Sequence, residues 1–168
     1  MPMLPTFRFL GFCDSSEGAY GACLFIRSTD SNNKTFCELL CSTSKVEPLK
    51  SVTIPRLELC AATLLAKPYK KAVCAFNISV NETYMWTDSA LVLAWIQGPS
   101  TKQKTFVGNR VALIQENTKA ATWRHVPNNS NSAELISMGI EPTAVSTSTL
   151  CWEGPQWLTQ RPSTGLEQ

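Results

Sequence analysis

FRFLGFC (Phe7–Cys13) is followed after a turn by AYGACLFIR (Ala19–Arg27) and then by TFCELLCS (Thr35–Ser42). Each run is rich in aromatic and aliphatic residues and bounded by turn chemistry, which predicts three consecutive strands. STDSNNK, Ser28–Lys34, is a good hairpin connection between the last two. Downstream, Thr53 can cap a helix with Pro55 in its first turn, and Leu57, Ala61, Leu64 and Leu65 recur at helical spacing. This helix should pack on the sheet, and Pro68 should stop or kink it, because proline lacks an N–H and its ring clashes with the preceding turn. TYMWTD (Thr83–Asp88) predicts a fourth strand, SALVLAWI (Ser89–Ile96) a short helix, and Val107, Val111 and Ile114 another helix. ATWRHV (Ala121–Val126) predicts a fifth strand, with a last short helix beginning near Ser132. That order favours an α/β layer structure, an antiparallel hairpin portion extended by strands that return through helices. Glu141–Leu150 is polar and low in pattern, so CWEGPQWL beyond it should form an arm or lie against the body.

At 168 residues the chain fits one domain able to bury a core without disulfides or metal. Its 43% hydrophobic and 17% charged residues keep it away from the disordered class. The apolar run Ala90–Ile96 is far below the roughly 18 to 20 residues that span a bilayer, and MPMLPTFRF lacks a signal-peptide core. Neither a membrane partner nor secretion is expected, and an intracellular, cytoplasmic location is. Seven cysteines without any C-x-x-C pair read as reduced core residues rather than a disulfide framework or zinc site. The N-x-S/T sequons at Asn33, Asn77, Asn81 and Asn128 would matter only in a secreted chain. A net charge of +2 gives no strong nucleic-acid field, so any such partner must be argued from a local site.

The chain has three aspartates, and two of them, Asp14 and Asp88, stand at the C-terminal ends of apolar strands, where α/β folds collect ligand-binding groups. Each alone could simply start a turn or cap a helix. Glu58 lies in IPRLELCAATLLA, an otherwise apolar stretch, where a buried carboxylate needs a cation, a hydrogen-bond network or solvent; pairing with Arg56 or a lysine is the plain alternative. Glu134 opens the last helix in NSAELIS, where the helix dipole alone favours an acid. Two strand ends and two helices could bring these four carboxylates together around two divalent cations, which prefer oxygen ligands and can activate a water against a phosphodiester.

The blocks GFCDSSEGAYGACLFIRS, SKVEPLKSVTIPRLELCAA, WTDSALVLAWI, FVGNRVALIQENT, WRHVPNNSNSAELISMG and CWEGPQWL, in order from Phe7 to Leu158, resemble the ribonuclease-H-like region of BEL/Pao-type retrotransposon polyproteins, also catalogued as a Pao retrotransposon peptidase family. The resemblance implies a ribonuclease-H-like five-stranded mixed sheet flanked by helices over residues 1–140, with 141–168 a C-terminal extension, partly packed or a linker. It also implies an endonuclease that hydrolyses the RNA strand of RNA/DNA hybrids with two Mg²⁺ or Mn²⁺ ions, next to reverse transcriptase and integrase domains of a polyprotein. Asp14, Glu58, Asp88 and Glu134 would be its catalytic metal ligands, with His125 aiding protonation or product release. Lys102, Lys104, Arg110 and Arg124 would contact phosphates. The family more often reads N-P-A-D-x-x-S-R-G where this chain has N-S-A-E-L-I-S-M-G, so Glu134, Ser132 and Met138 predict weakened activity and a freer loop. Two alternatives stand beside this reading. A non-catalytic connection-like module would only position nucleic acid, and an aspartic peptidase would need a glycine that neither Asp14-Ser15-Ser16 nor Asp88-Ser89-Ala90 supplies.

Overall fold

The structure is a computed structural model that describes residues 4–47, 50 and 52–160. Three long strands, β1 (Thr6–Ser15), β2 (Ala19–Thr29) and β3 (Thr35–Val46), form an antiparallel meander. Asp30 makes the β2–β3 connection, its carboxylate accepting from the backbone N–H groups of Asn32 and Lys34. Helix α1 (Ile54–Ala75) then leads to β4 (Glu82–Thr87), and α2 (Ala90–Gln97) and α3 (Thr105–Asn117) lead to β5 (Ala121–His125). The strand order is β3-β2-β1-β4-β5, with β4 parallel to both β1 and β5, so this is the five-stranded mixed sheet flanked by helices that the sequence predicts. Short helices α4 (Glu134–Met138), α5 (Pro142–Val145) and α6 (Thr149–Trp152) follow.

Strand alternation divides the core in two. Phe9, Cys13, Leu24 and Met85 face α1, α2 and α3, where Leu59, Leu65 and Tyr69 of α1, Val92 of α2 and Val111 of α3 complete one cluster. Leu10, Phe12, Phe25 and Trp86 face the other way. That second face is closed by the end of the chain: Leu158 is fully buried, and the Trp157 ring meets Phe12 and Trp86 edge-on at 6.3 and 5.2 Å. Gly154 makes this return possible, since its φ is +75° and a Cβ there would lie 2.6 Å from Leu158 Cδ1. The segment around Leu158 is therefore part of the core and not a linker, while residues 161–168 lie outside the described ones.

Of the two outcomes expected at Pro68, a stop or a kink, the stop does not occur; the helix runs through it to Ala75. An interior proline costs about 3 kcal/mol. Burying the leucines and tyrosine of this helix (Leu57, Leu59, Leu64, Leu65, Tyr69) contributes about 1.5 to 3 kcal/mol each, so packing outweighs the lost hydrogen bond. Thr53 occupies the cap position but its hydroxyl makes no cap bond. Of the cysteines, Cys13, Cys23 and Cys37 are buried, Cys74 is exposed, and all seven are free thiols. Among the described residues no helix is long and apolar enough to cross a membrane.

Leu158→Ala should lower unfolding free energy by about 2 to 5 kcal/mol in chemical denaturation, the range for an emptied leucine site in a core. A loss below about 0.5 kcal/mol, the scale of a surface change, would show the tail to be dispensable.

Candidate active site

Parallel pairing sets the centre of the site. Cys13 of β1 lies opposite Thr87 of β4 in their last pair, so the next residues, Asp14 and Asp88, stand side by side just past the end of that ladder, with Asp14 still paired to β2. Both neighbours of Asp88 are fixed: the Thr87 hydroxyl accepts from the Ser89 N–H at 3.2 Å, and the Ser89 hydroxyl caps α2 by accepting from the Val92 N–H at 3.2 Å. Glu58 comes from the second turn of α1, half-buried between fully buried Leu57 and Leu59. It makes no ion pair among the described residues, and Arg56 instead lies over the Phe106 ring at 5.0 Å. Glu134 opens α4 on the far side of the edge. His125, at the end of β5, places Nε2 3.1 Å from the Asp88 backbone carbonyl, at the exposed rim.

The carboxyl groups feel one another. Burial pushes Asp14 up to about 7 and the Asp88 carboxylate adds to the rise, while the Ser137 hydroxyl pulls it down. Burial also raises Asp88, with the charges of Glu58 and Glu134 contributing to the rise. Glu58 is raised by burial and by the charge of Asp14, against the Ser89 hydroxyl. Asp14, Glu58 and Asp88 thus lie within electrostatic reach of one another, and Asp88 also feels Glu134. They are gathered but not closed: among the described residues no three carboxylate, histidine or thiol side chains form a ready metal-holding group. Their donor set nevertheless fits a hard divalent cation, because all are oxygens and Asp88 Oδ1 is buried with no hydrogen-bond partner.

Three residues that sequence reading missed hold this edge together. Ser137 of α4 donates its hydroxyl to Asp14 Oδ2, and its carbonyl accepts from the Ser16 hydroxyl at 2.7 Å. Fully buried Asn131 donates to the Cys13 carbonyl at 3.0 Å and accepts from the Ala133 N–H at 3.1 Å. Gly21, opposite Asp14 in the β1–β2 ladder, leaves room for Ile136; a Cβ there would lie 2.5 Å from Ile136 Cγ2. An N-x-A-x-x-x-S spacing before a glycine was the available signal for Asn131 and Ser137. The loop before α4 is not freed by Ser132, as the sequence suggested, since Ser132 is buried and its hydroxyl donates to the Leu150 carbonyl at 3.0 Å. Met138, in contrast, is exposed and offers no cation there.

The four predicted phosphate contacts do not form one surface. Lys102 and Lys104 line a groove of about 660 Å³ with Arg56, Leu91 and Trp95, beside the N-terminus of α1. Arg110 lines a different, smaller cavity. Arg124 stacks over Tyr84 at 4.8 Å, and Tyr84 belongs to the core cluster on the other sheet face.

The sheet order and the acidic edge define a ribonuclease-H-like fold. The N-terminal RNase H domain of Rv2228c from Mycobacterium tuberculosis, solved as a maltose-binding-protein fusion, is similar with a TM-score of 0.53 at 14% identity, covering 85% of this chain and 100% of that one. LC11-RNase H1, isolated from compost and solved in complex with an RNA/DNA hybrid, matches at a TM-score of 0.46 and 15% identity, over 75% of this chain and 88% of that one. The family described as the Pao retrotransposon-like RNaseH-like domain matches residues 4–89, just over half of the chain, and the chain belongs to that family. Asp14, Glu58 and Asp88 fall inside the matched segment, and Glu134 outside it. No curated protein matches the chain.

A carboxyl raised from about 3.8 to about 7 on folding binds a proton in the folded state that the unfolded chain releases. Stability from Asp14 is therefore fully present below pH 4 and is lost as pH rises through 7. Asp14→Asn should remove this slope, so its unfolding midpoint without metal should equal or exceed that of the parent at pH 8. A clear drop in that midpoint at pH 8 would mean that Asp14 is a structural cap.

Proposed function

We propose that the chain is a metal-dependent nuclease that hydrolyses the RNA strand of RNA/DNA hybrids. The observation that carries the reading is the β1–β4 register that sets Asp14 beside Asp88, with burial and neighbouring charges raising Asp14, Glu58 and Asp88 and with Asp88 Oδ1 left unpartnered. Two Mg²⁺ or Mn²⁺ ions held by these carboxylates would supply activation of a water on one side of a phosphodiester and stabilisation of the leaving oxygen on the other.

The chain's own residues prepare that chemistry. The Ser137 hydroxyl orients Asp14, the Thr87–Ser89 turn orients Asp88, and α1 presents Glu58 from an apolar surround that limits water. His125, held on the Asp88 carbonyl, stands where a proton can pass to a departing oxygen or a product can be released. The groove lined by Arg56, Lys102 and Lys104 adjoins α1 two residues before Glu58 and offers cations to a phosphate backbone, with Trp95 as an apolar wall. Recognition of a hybrid would rest on shape and 2′-OH contacts rather than base sequence. In a polyprotein, neighbouring reverse transcriptase and integrase domains would supply the hybrid and use the product.

Purified protein given a labelled hybrid should cleave it only with Mg²⁺ or Mn²⁺. Asp14→Asn and Asp88→Asn should each reduce the rate at least a hundredfold, about 2.7 kcal/mol of barrier. Hybrid binding without cleavage by the parent at any metal concentration would favour the connection-like module, and pepstatin-sensitive proteolysis the peptidase.

Glu134→Asp tests the weakened corner by itself. It should raise Mg²⁺-dependent cleavage about tenfold, worth about 1.4 kcal/mol of barrier. Adding Ser132→Pro should erode the gain by removing the Ser132–Leu150 bond, worth about 1 kcal/mol. Equal rates for parent and Glu134→Asp would show that Glu134 already serves.

A further inference from the structure

We infer that the small cavity between α1, α3, β2 and β3 is an anion site that takes a phosphate group. Its volume is about 180 Å³, and Tyr20, Lys45, Cys60, Thr63, Lys67 and Arg110 line it. Pockets for nucleobases or cofactors usually run from about 300 to 1,000 Å³, so the size selects a compact ligand. The charge selects its sign. Three cations from three elements meet here, no carboxylate lines the cavity, and among the described residues none of the three is in an ion pair.

Arg110 is already set for binding. Its guanidinium stacks on the Phe106 ring at 3.6 Å, and Nη1 donates to the Phe106 carbonyl at 3.1 Å. That contact uses one of the five N–H donors of a rigid planar fork whose geometry matches phosphate oxygens bidentately. Lys45 and Lys67 add mobile point charges, and Tyr20 adds a hydroxyl that has no hydrogen-bond partner among the described residues. The cavity lies near the strand end that carries Asp14, because Tyr20 pairs with Ser15, the residue after Asp14, in the β1–β2 ladder. A phosphate there comes either from a nucleic-acid strand lying across the acids or from a free phosphate. The site itself stands without the nuclease reading; only the nucleic-acid source rests on it.

The test compares unfolding midpoints of the metal-free protein in inorganic phosphate and in chloride at matched ionic strength. Phosphate should raise the midpoint by about 2 to 4 °C. The rise should vanish in the Lys67→Gln, Arg110→Gln double variant and persist in Lys34→Gln, Lys71→Gln, two exposed lysines outside the cavity. No rise in the parent, or an equal rise in the first double variant, overturns the assignment. A second arm measures hybrid affinity in EDTA as a function of salt. If the strand is the source, the Lys67, Arg110 variant should lower the salt slope by about one for each cation removed. An unchanged slope with the phosphate shift lost assigns the site to free phosphate. Neither arm needs turnover, so a parent enzyme that fails to cleave would sink the nuclease reading and leave both readouts intact.

Discussion

The register between β1 and β4 is the constraint on which the rest of this molecule depends. Parallel strands in register end together, and here the last paired residues, Cys13 and Thr87, deliver two aspartates to the same point. Burial pushes both carboxylates toward their protonated forms, and the charge of Asp88 on Asp14 and of Glu58 on Asp88 adds to it, so the edge is electrostatically strained unless protons or a cation neutralise it. A fold that holds such an arrangement must be rigid immediately behind it. Both sides meet that requirement: Phe9, Met85 and Leu65 fill one face, and Phe12, Trp86 and Leu158 the other, all with negligible exposure.

The second face shows why the chain cannot be divided cleanly after α4. Phe12 and Trp86 stack at 5.0 Å directly behind the two strand ends, and Trp157 packs on both. Buried aromatic surface of this size stabilises by contact over a large area, and a bare sheet face here would expose it to water. The segment from Gly154 to Leu158 thus covers the core beneath Asp14 and Asp88.

Much of this was legible in the sequence, and the failures have physical causes. The five strands and the helical stripe of α1 follow from side-chain periodicity, which is a local property. Asp14, Glu58 and Asp88 stood out because each interrupts or ends an apolar stretch, and Glu134 because it opens the last helix where the resembled family has an acid. Pro68 misled because a local breaker rule was set against burial by β1 and β2, partners more than 30 residues away in sequence. Ser137 was silent because its meaning lies in Asp14, 123 residues earlier, and a serine in a short helix carries no pattern. The phosphate contacts failed to group because sequence gives the charge of Arg110 and Arg124 but not the sheet face or helix flank from which each reaches solvent.

Anchoring of α4 changes how the Glu134 departure should be understood. If the loop were loose, an extra methylene could be absorbed by backbone movement. It is instead pinned to β1 through Asn131 and Cys13, to the β1–β2 turn through Ser137 and Ser16, and to the C-terminal arm through Ser132 and Leu150. Each such bond contributes about 1 kcal/mol, and three acting on eight residues hold the helix start nearly fixed. The longer side chain must then adapt through its own torsions, folding back to bring its carboxylate to the reach an aspartate has directly. That adaptation loses an additional rotamer degree of freedom and places a charge on a longer, less constrained lever. Ser137 partly offsets this, because it fixes Asp14 from the same helix and so preserves one well-oriented carboxylate even where the adjacent one is less constrained.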